Sequence, residues 1–354
     1  MKQLLAYCLS IILCVSFTGC MENYLDLYPE DKITSASFPE NESDIKLLLN
    51  GVYAQLREKE VYNQGLFGFG ITDGATPNAF NWGTDEVFNK LGAGRLSSSD
   101  GGVVTYRWKR CYEIISRANY LLACMDLVDL SEEAKAKYSG ETHFLRGLAY
   151  SVLAETYGGV PIILTDISTE EARSLKRASL EETWQQALDD YEVAITNLGV
   201  DAPEPGRATK GAALGMKMRA YLYQGKYKEV LSCVEQIDAL KKYGLFHSYE
   251  GLFDPANENN KEVLFDIQYI EGENSQGSYI DQYCGTGTGS WTRGSRYVPT
   301  DDLVAAYETI DGSPVDPENP YENRDPRLGF TAVLPGSYFL GYRFPNYLYP
   351  GGAF

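Results

Sequence analysis

Ala220-Tyr221-Leu222-Tyr223-Gln224-Gly225-Lys226-Tyr227-Lys228-Glu229-Val230 closes one helix, turns on a single glycine and opens the next. The flanking helices run from Lys210 to Gln224 and from Lys226 to Lys242, and so short a turn makes them an antiparallel pair. Upstream, Pro203 and Pro205 break the chain. Before them, Ser179 and Glu182 form a capping box that opens a helix to about Leu198. Ser131 caps another, running through Phe144, Leu145, Leu148, Val152 and Leu153 to Tyr157, where Gly158-Gly159 ahead of Pro161 ends it. Thr105 to about Val128 carries Trp108, Tyr112, Ile115, Ala118, Asn119 and Leu122 as one stripe. Ser43 to Glu58 does the same with Ile45, Leu48, Leu49, Val52, Tyr53 and Leu56. The fold class is therefore mainly α, built of successive helical hairpins over about 43–58 and 105–242. Trp108 and Trp184 sit on helical stripes and belong to the core, and Arg146 fixes a contact between helices.

Two stretches break this pattern. Residues 62–102 are rich in glycine, with Asn78, Asn81, Trp82, Asp85 and a Ser97-Ser98-Ser99 run, and read as irregular loop. A loop of that length in a compact body is usually functional or disordered. Val263-Leu264-Phe265-Asp266-Ile267-Gln268-Tyr269 reads as a strand, and a glycine-rich aromatic loop with Tyr279, Tyr283, Trp291 and Tyr297 follows it. Asp311-Gly312-Ser313-Pro314-Val315-Asp316 lacks the alternating ligand spacing of a calcium loop and reads as turns.

At the other end, Lys2, the apolar stretch Leu4 to Val15 and Phe17-Thr18-Gly19-Cys20 form a lipoprotein signal, with residues 1–19 removed and Cys20 lipidated. The apolar run is shorter than the ~20 residues of a spanning helix. The membrane is therefore reached only through lipid on Cys20, whose acyl chains exceed the two-signal requirement for stable anchoring. Residues 20–40 form the tether, with Tyr24 to Tyr28 as one short anchor before Pro29.

The 354 residues are 44% hydrophobic, enough for a sizeable core, and the formal net charge of −18 repels a nucleic-acid polyanion or an anionic lipid surface. Tyrosine is abundant, 27 against 14 Phe and 4 Trp, and its flat apolar face with a polar tip suits both helix packing and wet, polar ligands. Cys111, Cys124, Cys233 and Cys284 match no metal spacing. The first two share a helix, where thirteen residues separate them by roughly 20 Å, beyond disulfide reach. His143 and His247 are too isolated for a metal cluster or a triad.

Ordered motifs across the chain resemble the SusD/RagB family of Bacteroidetes surface lipoproteins. They are the lipid cysteine with Tyr24-Leu25-Asp26 and Pro29; Trp108 with Tyr112-Glu113-Ile114-Ile115 and Arg117-Ala118-Asn119; Glu141, Phe144-Leu145-Arg146 and Ala149-Tyr150; and Tyr157-Gly158-Gly159-Val160-Pro161. Further on stand Arg219-Ala220-Tyr221-Leu222 with Gly225-Lys226-Tyr227, then Glu262-Val263-Leu264-Phe265, then Asn323-Arg324-Asp325-Pro326-Arg327-Leu328. The segment at 220–230 also resembles the turn region of a tetratricopeptide repeat. The resemblance implies a body of four tetratricopeptide-like units over 41–354, with a loop-rich ligand surface. It also implies an outer-membrane location facing the cell exterior, and a SusC-like TonB-dependent barrel to which an oligosaccharide, or in some relatives a peptide, is delivered. Relatives usually continue well past Arg-Asp-Pro-Arg, so the C-terminal part is expected to be incomplete and to leave apolar surface of the last repeats uncovered.

Non-catalytic sugar binding needs aromatic faces for the C–H side of a pyranose and fixed polar groups for its hydroxyls. Asp73, Asn78, Asn81 and Trp82 supply these in the loop at 62–102, and Tyr283, Trp291, Arg296 and Tyr297 in the loop at 270–300. No motif aligns these residues one by one, so the assignment rests on composition. No cofactor or metal is expected beyond the covalent lipid. A surface glycoside hydrolase is the rival class, but no pair of carboxylates is set apart in a context that raises one pKa. A scaffold that binds only a protein partner would not need the tryptophan-bearing loops.

Overall fold

The computed structural model describes residues 38–57, 73–81, 90–97, 99–269, 297–339 and 341–344. Cys20, Trp82, Tyr283, Trp291 and Arg296 lie outside the described residues, as do the signal and most of the tether; for Asn81 and Tyr297 the backbone alone is described.

Helix α1 (Glu42–Leu56) begins where the Asn41 side chain accepts from the backbone N–H groups of Ser43 and Asp44 while Asp44 reaches back to the cap. It buries Ile45, Leu49, Val52 and Leu56, one stripe at helical spacing. Helix α2 (Val103–Cys124) lies against α1, and α3 (Glu132–Tyr157) against both. Ser131 caps α3, and Gly158 ends it at φ +75°, a conformation a side chain disfavours. The short α4 (Thr169–Ser174) is exposed, and α5 (Leu180–Asn197) opens on the Ser179/Glu182 capping box. Thr209 caps α6 (Lys210–Tyr223), and α7 (Tyr227–Ala239) follows the Gly225 turn. Helices α5, α6 and α7 pack in succession from α3, which also touches α6.

Helix α3 is the hub because it buries residues on every side from Phe144 to Ala154, so neighbours can cover it all round. The close approach of α5 needs Gly147, where a Cβ would stand 2.9 Å from the Tyr191 ring. Phe144, Tyr150 and Tyr191 are fully buried, and each large apolar side chain so placed stabilises the fold by about 1.5–3 kcal/mol. Trp184 belongs to this core and Trp108 packs against it, edge-on to Tyr157 at 5.2 Å. Arg146 does fix a contact between helices. Its guanidinium donates to Asp190 of α5 at 2.7–3.2 Å and to Asn119 of α2 at 2.8 Å. Asn119 in turn donates to the carbonyls of Ile163 and Thr165.

The described strands are short: β1 (Ala79–Asn81) with β2 (Tyr297–Pro299), and β3 (Tyr338–Phe339) with β4 (Tyr342–Arg343). The expected strand at 263–269 does not form. Its apolar residues face helices rather than a partner strand: Phe265 meets Phe144 edge-on at 4.9 Å, and Leu264 lies against Gly215 of α6. Helix α8 (Asp301–Ala306) follows β2, and α9 (Arg327–Thr331) follows the hairpin-like turns at 308–325. There Asp311 and Asp316 accept from backbone N–H groups two residues on, as turn residues do. Cys111, Cys124 and Cys233 are buried free thiols, and burial pushes the Cys111 thiol up to about 12.

Candidate functional site

The first candidate loop is built from its own backbone. The Asp73 carbonyl accepts from the Thr76 N–H at 2.9 Å and from its hydroxyl at 2.8 Å, and that hydroxyl accepts from the Asn78 N–H at 3.1 Å. This winds residues 73–78 into a compact turn with Asp73 and Asn78 on the exposed side. The chain then straightens into β1, which pairs antiparallel with β2 in the register Ala79 with Pro299, Phe80 with Val298 and Asn81 with Tyr297. The described segments of the two candidate loops therefore meet at β1 and β2, although more than two hundred residues separate them in sequence. Asn78, Asn81 and Tyr297 come together at the backbone level. Trp82 directly follows β1 and Arg296 directly precedes β2 in sequence, and their own positions, like those of Tyr283 and Trp291, lie outside the described residues.

Thr300 secures the junction. Its N–H donates to the Asn78 carbonyl at 3.0 Å and its hydroxyl donates to the Pro77 carbonyl. The same oxygen accepts from the Leu303 N–H at 3.1 Å and so caps α8. The capping pattern at Thr300 is readable in the sequence. Its second contact, across the chain, is not.

The two carboxylates whose pKa burial raises among the described residues, Glu141 and Glu155, stand far apart. Both lie on α3, fourteen residues and roughly 21 Å of helix apart, far beyond the ~5–9.5 Å of a glycosidase pair. Glu141 is sealed in the body, accepting from the Tyr53 hydroxyl at 2.8 Å and from Arg207 at 3.4 Å. Three residues from Thr300 along α8, Leu303 forms part of a cleft of about 380 Å³ that also involves Tyr249, Tyr307 and Arg327. None of these was singled out as a site residue from sequence. Tyr249 and Tyr307 stand alone in segments without a recognisable motif, and only the fold brings them together.

A mainly helical body in which two distant non-helical segments pair as β1 and β2 defines the class. Residues 23–222 match the SusD-like family described as "Starch-binding associating with outer membrane", and residues 261–351 match the SusD family. The chain belongs to the SusD family, whose members are associated with the outer membrane. It is similar to SusD-like protein P25 of Formosa agariphila, 26% identical over 321 residues that cover 84% of this chain and 58% of that protein. It also resembles the crystal structure of a SusD-like carbohydrate binding protein from Bacteroides fragilis, with a TM-score of 0.75, 28% identity and coverage of 85% of this chain and 61% of that one. A laminarin binding SusD-like protein shares the fold, with a TM-score of 0.60 at 21% identity over 73% of this chain and 55% of that one. The chain thus spans about 58% of the length of the curated P25 relative.

Proposed function

We propose that this chain is a non-catalytic nutrient-capture lipoprotein. It is held on the outer face of the outer membrane by lipid on Cys20, binds oligosaccharides, and passes them to a SusC-like TonB-dependent barrel. The observation that carries the reading is the β1–β2 pairing. It sets the backbone at Asn81 beside that at Tyr297, one candidate residue from each loop, and rings with fixed polar groups are what a sugar site requires. Likeness to a carbohydrate binding protein of the same family supports the ligand class. Laminarin and soluble starch are probes suggested by the relatives, not assigned ligands.

The test is a glycan array followed by calorimetry with laminarin and soluble starch. Binding without release of reducing ends is expected, with Trp82→Ala and Trp291→Ala each lowering affinity about tenfold, equivalent to ~1.4 kcal/mol, and circular dichroism unchanged. Release of reducing ends would establish an enzyme instead. Binding confined to a peptide panel would replace the ligand class.

A further inference from the structure

The cleft beside α8 has the construction of a binding site in its own right. Its volume of about 380 Å³ falls within the ~300–1,000 Å³ usual for small-molecule sites. Tyr249, Leu303, Tyr307, Glu308, Asp325 and Arg327 line it.

Its walls are fixed before any ligand arrives. Arg324 is buried and donates to the backbone carbonyls of Val304, Tyr307 and Pro320, which ties the end of α8 to the turns at 308–325. The Asp325 N–H donates to the Glu308 carbonyl at 2.8 Å, and the Tyr307 hydroxyl shares a hydrogen bond of 2.8 Å with Thr331 of α9. The Tyr307 ring is therefore held at both its backbone and its hydroxyl. Tyr249, 48% exposed, is set edge-on to Phe253 at 5.5 Å and tilted against Phe330 at 6.2 Å. Rings presented in this way give contact area at little conformational cost.

The charges favour a neutral, hydroxyl-rich ligand. Arg327 is already paired with Asp325 through a two-pronged ion pair, which neutralises its guanidinium and leaves Glu308 as the uncompensated charge among the lining residues. An anion would be repelled, whereas sugar hydroxyls can donate to a carboxylate. From Thr300, at the junction of the two candidate loops, to Ala306 in the cleft is six residues, roughly 9 Å of helix. One extended chain could lie along both.

We propose that this cleft is a second carbohydrate subsite, in which Tyr249 and Tyr307 receive the C–H face of a sugar ring while Glu308 accepts hydrogen bonds from its hydroxyls. The assignment rests on the glycan-capture reading and extends it to an elongated ligand spanning both places. Calorimetry with laminarin and with soluble starch tests it. Tyr249→Ala and Glu308→Gln are each expected to lower the affinity of whichever polymer binds by about tenfold. Tyr249→Phe, which keeps the ring, is expected to stay within about twofold. Because Tyr249 and Glu308 are exposed, an unchanged circular dichroism spectrum and melting temperature should accompany all three. Wild-type binding that survives both Tyr249→Ala and Glu308→Gln would overturn the second subsite and leave the capture reading intact. A wild-type chain that binds no glycan on the array would overturn both.

Discussion

Arg146 shows what one residue can reveal and what it hides. Its place in Phe144-Leu145-Arg146, at the start of the largely apolar stretch to Ala154, marks a guanidinium that must be paired if it is buried. Asp190, forty-four residues on and one of many acids on helix faces, bears no local sign of being the partner. The pair is almost fully enclosed, with 7% and 2% of the two side chains exposed. Arg146→Ala strands a buried carboxylate and should cost about 3–5 kcal/mol in urea unfolding. Replacing both partners, Arg146→Met with Asp190→Leu, should recover most of that loss. A single-mutant cost below 1 kcal/mol would show that Asp190 finds water or another donor. The site residues were legible only as types: aromatic rings and amides in loops could be named, but not Tyr249 or Tyr307, whose surroundings are assembled from three separate segments.

At the level of elements, boundaries were readable wherever a side chain does the capping. Ser131, Ser179 and Glu182 make the hydrogen bonds their spacing announces. The apolar run at 263–269 misled because alternation records which side is buried, not what buries it, and here helices do so. The pairing of β1 with β2 left no trace in either stretch, since three residues are too few to establish a period. Gly158-Gly159 reads as a helix stop, yet the second glycine has another task. A Cβ at Gly159 would collide with the Ala178 carbonyl and stand 2.8 Å from the Ser179 carbonyl carbon, where the Ala178 N–H bonds back to the Val160 carbonyl at 3.1 Å. Both obstacles are backbone and cannot swing aside. Gly159→Ala should therefore destabilise the chain by about 2 kcal/mol, seen as a lower urea midpoint. An unchanged midpoint would mean that the segment before α5 yields freely.

Across the whole molecule, the helical class was legible because apolar stripes recur with caps between them. The convergence of distant loops was not, because it depends on how the hairpins stack. Charge acts at this scale as well. With 49 acids against 31 bases and a net charge of −18, the chain should be repelled by anionic lipid. No helix among the described residues is long and apolar enough to cross a membrane. If lipid on Cys20 is the anchor, the lipidated chain should pellet with vesicles rich in anionic lipid at physiological salt. A Cys20→Ala chain should remain in the supernatant, and its pelleting would point to a further membrane contact.

The double engagement of Thr300 has a mechanical corollary. Because one hydroxyl both grips the turn at Pro77 and seals the first turn of α8, that oxygen is a pivot shared by a loop and a lever. The turn at Pro77 and the cleft residues Leu303 and Ala306 are therefore joined through one short helix. Valine at this position would keep the bulk and remove the axle.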